Sequence, residues 1–248
     1  MGHFKELWQD LQQEDRDEWI RNRLDNDESD EYAEEWQELS RKYDDWMEHL
    51  LETAQIDEDF DWYRNQAYSS IYEQFQIEIS RLKLIIGQNY NYDEELTFCK
   101  MVFAHAVTLL ETYLGDSVKY LVLSEEKYLK NAINKIDELK KAKFSLIDIH
   151  YQKDGVQGFV LIELSKVMYH NISKVKRILE SIIDTPLEID ISMVGYIASV
   201  RHDIVHRNGR SIDGESIDLH PELVNEAISG IESFAKQLQF KINEAITA

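Results

Sequence analysis

The side chains best suited to chemistry lie in one short window, residues 201–209, which reads Arg-His-Asp-Ile-Val-His-Arg-Asn-Gly. The window closes an apolar-periodic segment, residues 191–205, and Gly209 is typical of the position just past a helix end. Histidine exchanges protons near neutral pH, and arginine stabilises negative charge on phosphate groups. The pattern therefore predicts a site at the C-terminal end of a core helix.

Three interpretations of this window are open. His202 and His206 are four residues apart on one helix face, as paired zinc ligands are, but no Glu follows His202 and no third ligand is evident. A structural role is the second, because His and Arg at a helix C-terminus complement the macrodipole and bond the last carbonyls. The third is metal-free cleavage of RNA, in which His206 moves a proton and Arg201 stabilises charge on the phosphorane.

The third interpretation carries a geometric condition. Five residues at about 100° each separate Arg201 from His206 by roughly 140° around a regular helix. The two side chains would therefore meet only if the helix end unwinds, or if a second copy of the site faces the first across a two-fold axis.

The rest of the chain predicts an all-α protein, since it has only two Pro and nine Gly in 248 residues. Apolar spacing indicates helices over about 67–86, 93–114, 125–141, 159–183 and 191–206, and a last helix that begins near Pro221. Glu111 is the one acid between Lys100 and Asp116. We expect Glu111 to be exposed or paired, with Arg201 as a plausible partner.

Charge divides the chain near residue 95. Residues 1–95 hold 27 of the 48 acidic residues, nine of the 27 Lys and Arg residues, and all five Trp residues. We therefore distinguish an acidic, Trp-rich helical N-terminal region, 1–95, from a helical bundle, 96–248. The Trp and Tyr stripe of the first region is typical of a small core or of a surface for a protein partner.

Composition also excludes several classes of function. A net charge of -21 argues against a general nucleic-acid coat and against an anionic membrane surface. Cys99 is the one cysteine, so there is no internal disulfide, and we expect a buried thiol and a cytoplasmic location. No apolar run is long enough to span a bilayer, and no Gly-rich phosphate loop or Cys-rich zinc pattern predicts a cofactor.

Three further features of the sequence allow structural predictions. His105 lies on or beside an apolar stripe, so we expect a core histidine rather than a ligand. Lysines are densest in residues 127–143 and recur in 166–177. They form either a solvated helix face or a stripe that follows phosphates. An Asp-Gly pair at 213–214 allows a small hairpin.

The window resembles the R-x4-6-H signature of the HEPN superfamily, because Arg201 is followed by polar His202 and then by His206 at the required distance. The flanks are also similar to that family: the early helix around residues 109–114 and the final helix after residues 219–222. The resemblance covers residues 96–248.

This resemblance implies a HEPN-like bundle that acts as a homodimeric, metal-independent endoribonuclease, commonly a toxin or antiphage-defence effector. Two motif helices would form one composite cleft for RNA, such as tRNA, with Arg201 and His206 as the catalytic pair and neither metal nor cofactor. Supporting or RNA-orienting roles would fall to His202, Asp203, Asn208 and Glu111. Asn208 replaces the Tyr that some members carry for modification by a partner nucleotidyltransferase.

Residues 1–95 lie outside the usual family pattern and would bind an antitoxin or a sensor protein, or shield the cleft. The alternative function is a non-catalytic interaction module that uses the bundle and the Trp-rich region for protein contacts.

Overall fold

The structure is a computed structural model that describes residues 13, 15–24, 30–45, 47, 62–63, 68–87, 92–144, 152 and 154–247. The chain forms two compact units, Met1–Asp59 and Phe60–Ala248. The described residues are mostly helical and contain no strand, which confirms the all-α class.

In the first unit, helices α1 (15–21) and α2 (34–45) contact each other. The rings of Trp19 and Tyr43 meet edge to face with centroids 5.4 Å apart, and Ile20 is fully buried. Trp19 is half-buried in this contact, so the aromatic stripe keeps both of its interpretations. Trp8 and Trp46 lie outside the described residues.

The second unit contains eight described helices. They are α3 (Tyr68–Ile86), α4 (Tyr92–Ser124), α5 (Glu126–Lys135), α6 (Asp137–Lys141), α7 (Gly155–Ser165), α8 (Ile172–Ile183), α9 (Ser192–Arg207) and α10 (Pro221–Thr247). Helix α4 is the centre of this unit, since it packs against α3, α5, α7, α8, α9 and α10.

The core surrounds α4 because its apolar residues recur at spacings of three and four over most of its length. Tyr113 is 1% exposed and shows how one large side chain joins three helices. Its ring contacts Phe75 of α3, with centroids 5.0 Å apart, and its hydroxyl donates to Gln239 Oε1 of α10 at 2.9 Å.

The second compact unit begins at residue 60 rather than at 96, where charge divides the chain. The reason is packing: α3 contacts both α4 and α10, and it buries Ile71, Phe75 and Ile79 in the core that they share. Composition marks an acidic segment, whereas the compact unit follows the apolar face of α3.

Two of the predicted helices are interrupted in the structure. Residues 159–183 do not form one helix, because Asn171 caps a new helix by accepting a hydrogen bond from the Lys174 N–H at 3.1 Å. Residues 125–141 are likewise interrupted at Ile136, whose backbone is extended at φ -83 and ψ 122. The allowed hairpin is present only as an isolated antiparallel bridge between Arg210 and Ser216.

Two single-residue predictions had different outcomes. Cys99 is buried, as predicted, and burial raises the pKa of its thiol, with smaller contributions from Glu95 and Glu222. His105 is exposed, so its prediction as a core histidine was wrong. The helix turns this residue outward beside Met101, which is also exposed.

The role of α3 in the second unit can be tested by a pair of substitutions on its two faces. Ile79 is fully buried and Ile77 is 46% exposed. We expect Ile79→Ala to lower the free energy of unfolding by about 2–5 kcal/mol through lost burial and a cavity. Ile77→Ala should change the same free energy by less than about 1 kcal/mol. Urea denaturation of the full chain followed by circular dichroism measures both, and equal effects would contradict the packing of α3 described above.

Candidate functional site

Helix α9 carries the motif and ends where the sequence predicts. It is helical from Ser192 to Arg207, and Asn208 adopts the left-handed conformation at φ 53. Gly209 follows at φ 79. The backbone N–H groups of Asn208 and Gly209 both donate to the Asp203 carbonyl, the latter at 3.0 Å. This is the ordinary way in which a helix end satisfies its last carbonyls.

The two histidines of the motif share the solvent face of α9. The opposite face is buried at Val194, Ile197, Val200 and Ile204, which leaves His202 and His206 exposed. Their ring centroids are 4.5 Å apart, with planes tilted by 42°. The structure therefore brings these two imidazoles together within one chain.

Helices α4 and α9 pack against each other, and two pairs of neighbouring residues show that they run antiparallel. At one end Lys100 Nζ donates to the Asn208 carbonyl at 2.8 Å. At the other end Leu114 and Ile191 line the same small cavity. The C-terminal turn of α9 is consequently anchored to the N-terminal part of the central helix.

The direction of Arg201 follows from helix geometry. Arg201 precedes Asn208, which is anchored to Lys100 of α4, by seven residues. A regular helix places the two within about 20° of each other, and so places Arg201 towards α4. Arg201 is half-buried. Its Nε atom is buried and has no hydrogen-bond acceptor among the residues that the structure describes.

On α4, Glu111 follows Lys100 by eleven residues, which is three full turns and about 20° more. A regular helix therefore places Glu111 on the same side of α4 as Lys100. Its Oε1 atom is also buried without a donor. No hydrogen bond or ion pair joins Arg201 to Glu111 among the described residues, so the predicted pairing is not formed.

The remaining predicted residues are engaged at the helix end. Asp203 forms an ion pair with Arg207, and its carbonyl accepts both capping N–H groups. Asn208 is the cap, and its carbonyl is the acceptor for Lys100. Lys100 itself was not predicted, since nothing in the sequence links residues 108 positions apart.

Within one chain, Arg201 and His206 do not lie side by side. The helix stays regular through Arg207, so the unwinding that would bring the pair together is not seen. Arg201 faces the α4 flank and His206 faces solvent. Of the two ways to unite them, a second copy of the site is the one compatible with this geometry.

The lysine-rich segments are largely neutralised by nearby acids. Ion pairs join Lys127–Glu125, Lys130–Glu126, Lys135–Asp184, Lys166–Glu163, Lys174–Glu138 and Lys176–Glu180. Every partner keeps at least a fifth of its side chain exposed to solvent, where an ion pair contributes little stability. The pairing favours the solvated-face interpretation over a continuous phosphate-binding stripe.

Comparison of the chain with protein-family models, with curated proteins and with solved structures found no match. No helix in the described part of the chain is long and apolar enough to cross a membrane.

The anchor at the end of α9 can be tested at its glycine. A Cβ atom on Gly209 would lie 2.7 Å from Lys100 Cε, whereas one on Gly214, also left-handed at φ 83, would contact nothing. Both Gly→Ala changes should cost about 1–2 kcal/mol of folding free energy through backbone strain. We expect Gly209→Ala to cost about 0.5–1.5 kcal/mol more, because it displaces the Lys100 hydrogen bond.

Thermal or urea denaturation measures this difference between the two glycine variants. A Lys100→Met background supplies the control, because the extra cost of Gly209→Ala should disappear there. An extra cost that persists without the lysine amine would show that the anchor does not stabilise the helix end.

Proposed function

We propose that this chain is a metal-independent endoribonuclease of HEPN type that works as a homodimer. The observation that carries the proposal is the arrangement of α9: one regular helix presents His206 to solvent and keeps Arg201 on its flank without an ion pair to any described residue. The resemblance of residues 201–206 to the R-x4-6-H signature supports the same function.

The chemistry requires no cofactor because RNA supplies its own nucleophile. A base takes the proton of a ribose 2′-hydroxyl, and the oxygen attacks the adjacent phosphorus. The phosphorane then expels the 5′-oxygen, which receives a proton, and the products are a 2′,3′-cyclic phosphate and a 5′-hydroxyl. His206 exchanges protons in this scheme, and Arg201 stabilises the extra negative charge on the phosphorane.

A two-fold axis beside the C-terminal part of α9 would allow His206 of one chain to approach the half-buried Arg201 of the other. The side chain that would face this cleft beside His206 is His202, which suits an orienting role towards RNA. Glu111 shares the α4–α9 interface with Arg201 and suits a role in directing its guanidinium. Asp203 and Asn208 hold the helix end on which His206 lies.

Charge distribution bears on how RNA reaches such a cleft. Residues 1–95 carry -18 of the total charge of -21. The helices that would hold the site belong to the less acidic remainder of the chain. At physiological salt, electrostatic repulsion of RNA is screened beyond about 10 Å. Short-range contacts near α9 would therefore decide whether RNA binds.

The nuclease proposal predicts RNA cleavage that continues in EDTA. We expect His206→Ala to lower the cleavage rate by about 100-fold or more, the range for loss of a general acid–base group. Arg201→Ala should lower it by a similar factor through lost stabilisation of the phosphorane. The assay incubates purified full-length protein with tRNA and total RNA and identifies the product ends.

His105→Ala is the matched control, because it removes an exposed helical histidine outside the motif and should leave the rate unchanged. Expression of the wild-type chain should slow bacterial growth if the protein is a toxin or a defence effector, and either motif substitution should relieve this effect. Cleavage that requires a divalent metal, or that survives both substitutions, would refute the proposal.

The composite site makes a second prediction, about mixed dimers. Arg201→Ala and His206→Ala chains should each be inactive, but a mixed dimer retains one intact arginine and one intact histidine on opposite chains. We expect refolding or co-expression of the two variants to restore one complete site per mixed dimer, and therefore up to about half of the wild-type dimer's activity. Absence of any recovery, with mixed dimers confirmed by differently tagged chains, would place both groups of one site in the same chain.

The alternative function, a non-catalytic interaction module, is favoured by one observation. Helix α3 exposes two large apolar side chains seven residues apart, Ile77 at 46% and Leu84 at 74%. Such a stripe is typical of a surface that another helix covers. If this module were the whole function, the motif substitutions would alter stability or partner affinity, and no RNA product would appear.

A further inference from the structure

We infer that His202 and His206 form a binding site for a divalent transition-metal ion such as Zn2+. The two imidazoles are four residues apart on one regular helix, and their ring centroids lie 4.5 Å apart. Zinc–nitrogen bonds of about 2.0–2.1 Å place two ligand nitrogens roughly 3.3 Å from each other. The observed ring separation is compatible with that spacing after small rotations of the side chains.

The ring nitrogens of this pair are available. No described residue makes a hydrogen bond or an ion pair with either ring, and both side chains are exposed. His220 differs in this respect, because its Nδ1 atom contacts Glu222 Oε2 at 2.9 Å. Asp203, the carboxylate that follows His202 in the sequence, is already paired with Arg207.

The scaffold favours chelation because the two ligands are already held on one face. A metal ion that binds both rings does not have to order the backbone, since α9 is regular across both positions and its end is anchored through Asn208 to Lys100. The ligand type sets the class of ion: imidazole suits Zn2+, Ni2+ and Cu2+, whereas Mg2+ prefers oxygen ligands.

The described residues contain no cluster of three or more His, Cys, Asp or Glu side chains arranged around a metal position. The pair therefore supplies two ligands, and water completes the coordination. Such an open site binds exchangeably rather than as part of the fold, which suits reversible control. If His206 exchanges protons during RNA cleavage, a consequence that depends on the proposed function, bound Zn2+ would occupy its imidazole and inhibit the reaction.

Isothermal titration of the metal-stripped, tag-free full chain with Zn2+ tests the site without RNA. We expect His202→Ala and His206→Ala each to weaken this binding by more than about tenfold, since loss of even an outer-shell partner costs about 10–100-fold in metal affinity. Mg2+ should show no binding that depends on the pair.

His105→Ala is again the matched control and should titrate as the wild type does. Zinc held by acidic residues elsewhere contributes equally to every variant. The differences in Zn2+ affinity between variants therefore report on the His202–His206 site. Both His→Ala variants titrating like the wild type would overturn the site. A chain that binds Zn2+ through this pair but cuts no RNA in EDTA would refute the nuclease and support the metal site. A chain that cuts RNA in EDTA but binds no Zn2+ through this pair would support the nuclease and refute the metal site.

Discussion

The antiparallel contact between α4 and α9 is the constraint on which the rest of the site depends. Helix α4 is long enough to contact most of the second unit, so any element packed along it is held relative to the whole core. Helix α9 buries four apolar residues on one side and is fixed in register by Lys100 at its end. This leaves one polar face, with its two histidines, as the side turned to solvent. The chemistry proposed for the motif depends on this arrangement, in which one face of α9 is packed against the core and the other is open to solvent.

The structure also explains why the proposed pair, Arg201 and His206, would need a second chain to meet. A regular helix cannot place residues five apart on one face, and α9 is regular across the motif. The arginine is therefore directed along the interface with α4, and the histidine is directed away from it. The same geometry gives Arg201 and Glu111 a common interface without a bond between them. Buried polar groups without partners are unusual in folded proteins and are often associated with function.

Sequence reasoning was most successful where one local signal dominates. Gly209 and the apolar spacing before it predicted the end of α9, and the scarcity of Pro and Gly predicted the helical class. Sequence reasoning failed at Asn171, where a polar residue caps a new helix. The spacing of the apolar residues continues unchanged across this cap, so it gives no sign of the break. His105 was misplaced because the α4 stripe is broad and the histidine lies at its edge. The relation of Lys100 to Asn208, and of Glu111 to Arg201, depends on packing between distant segments that no local pattern contains.

The connection between Lys100 and the Asn208 carbonyl spans 108 positions of the chain. The last turn of a helix is ordinarily its loosest part and opens independently of the core. Here that turn is tethered to the central helix, so freedom of His206 to move is coupled to the integrity of the whole bundle. A distant substitution that destabilises the packing of α4 would thus make the position of this imidazole less defined, without changing any residue of the motif.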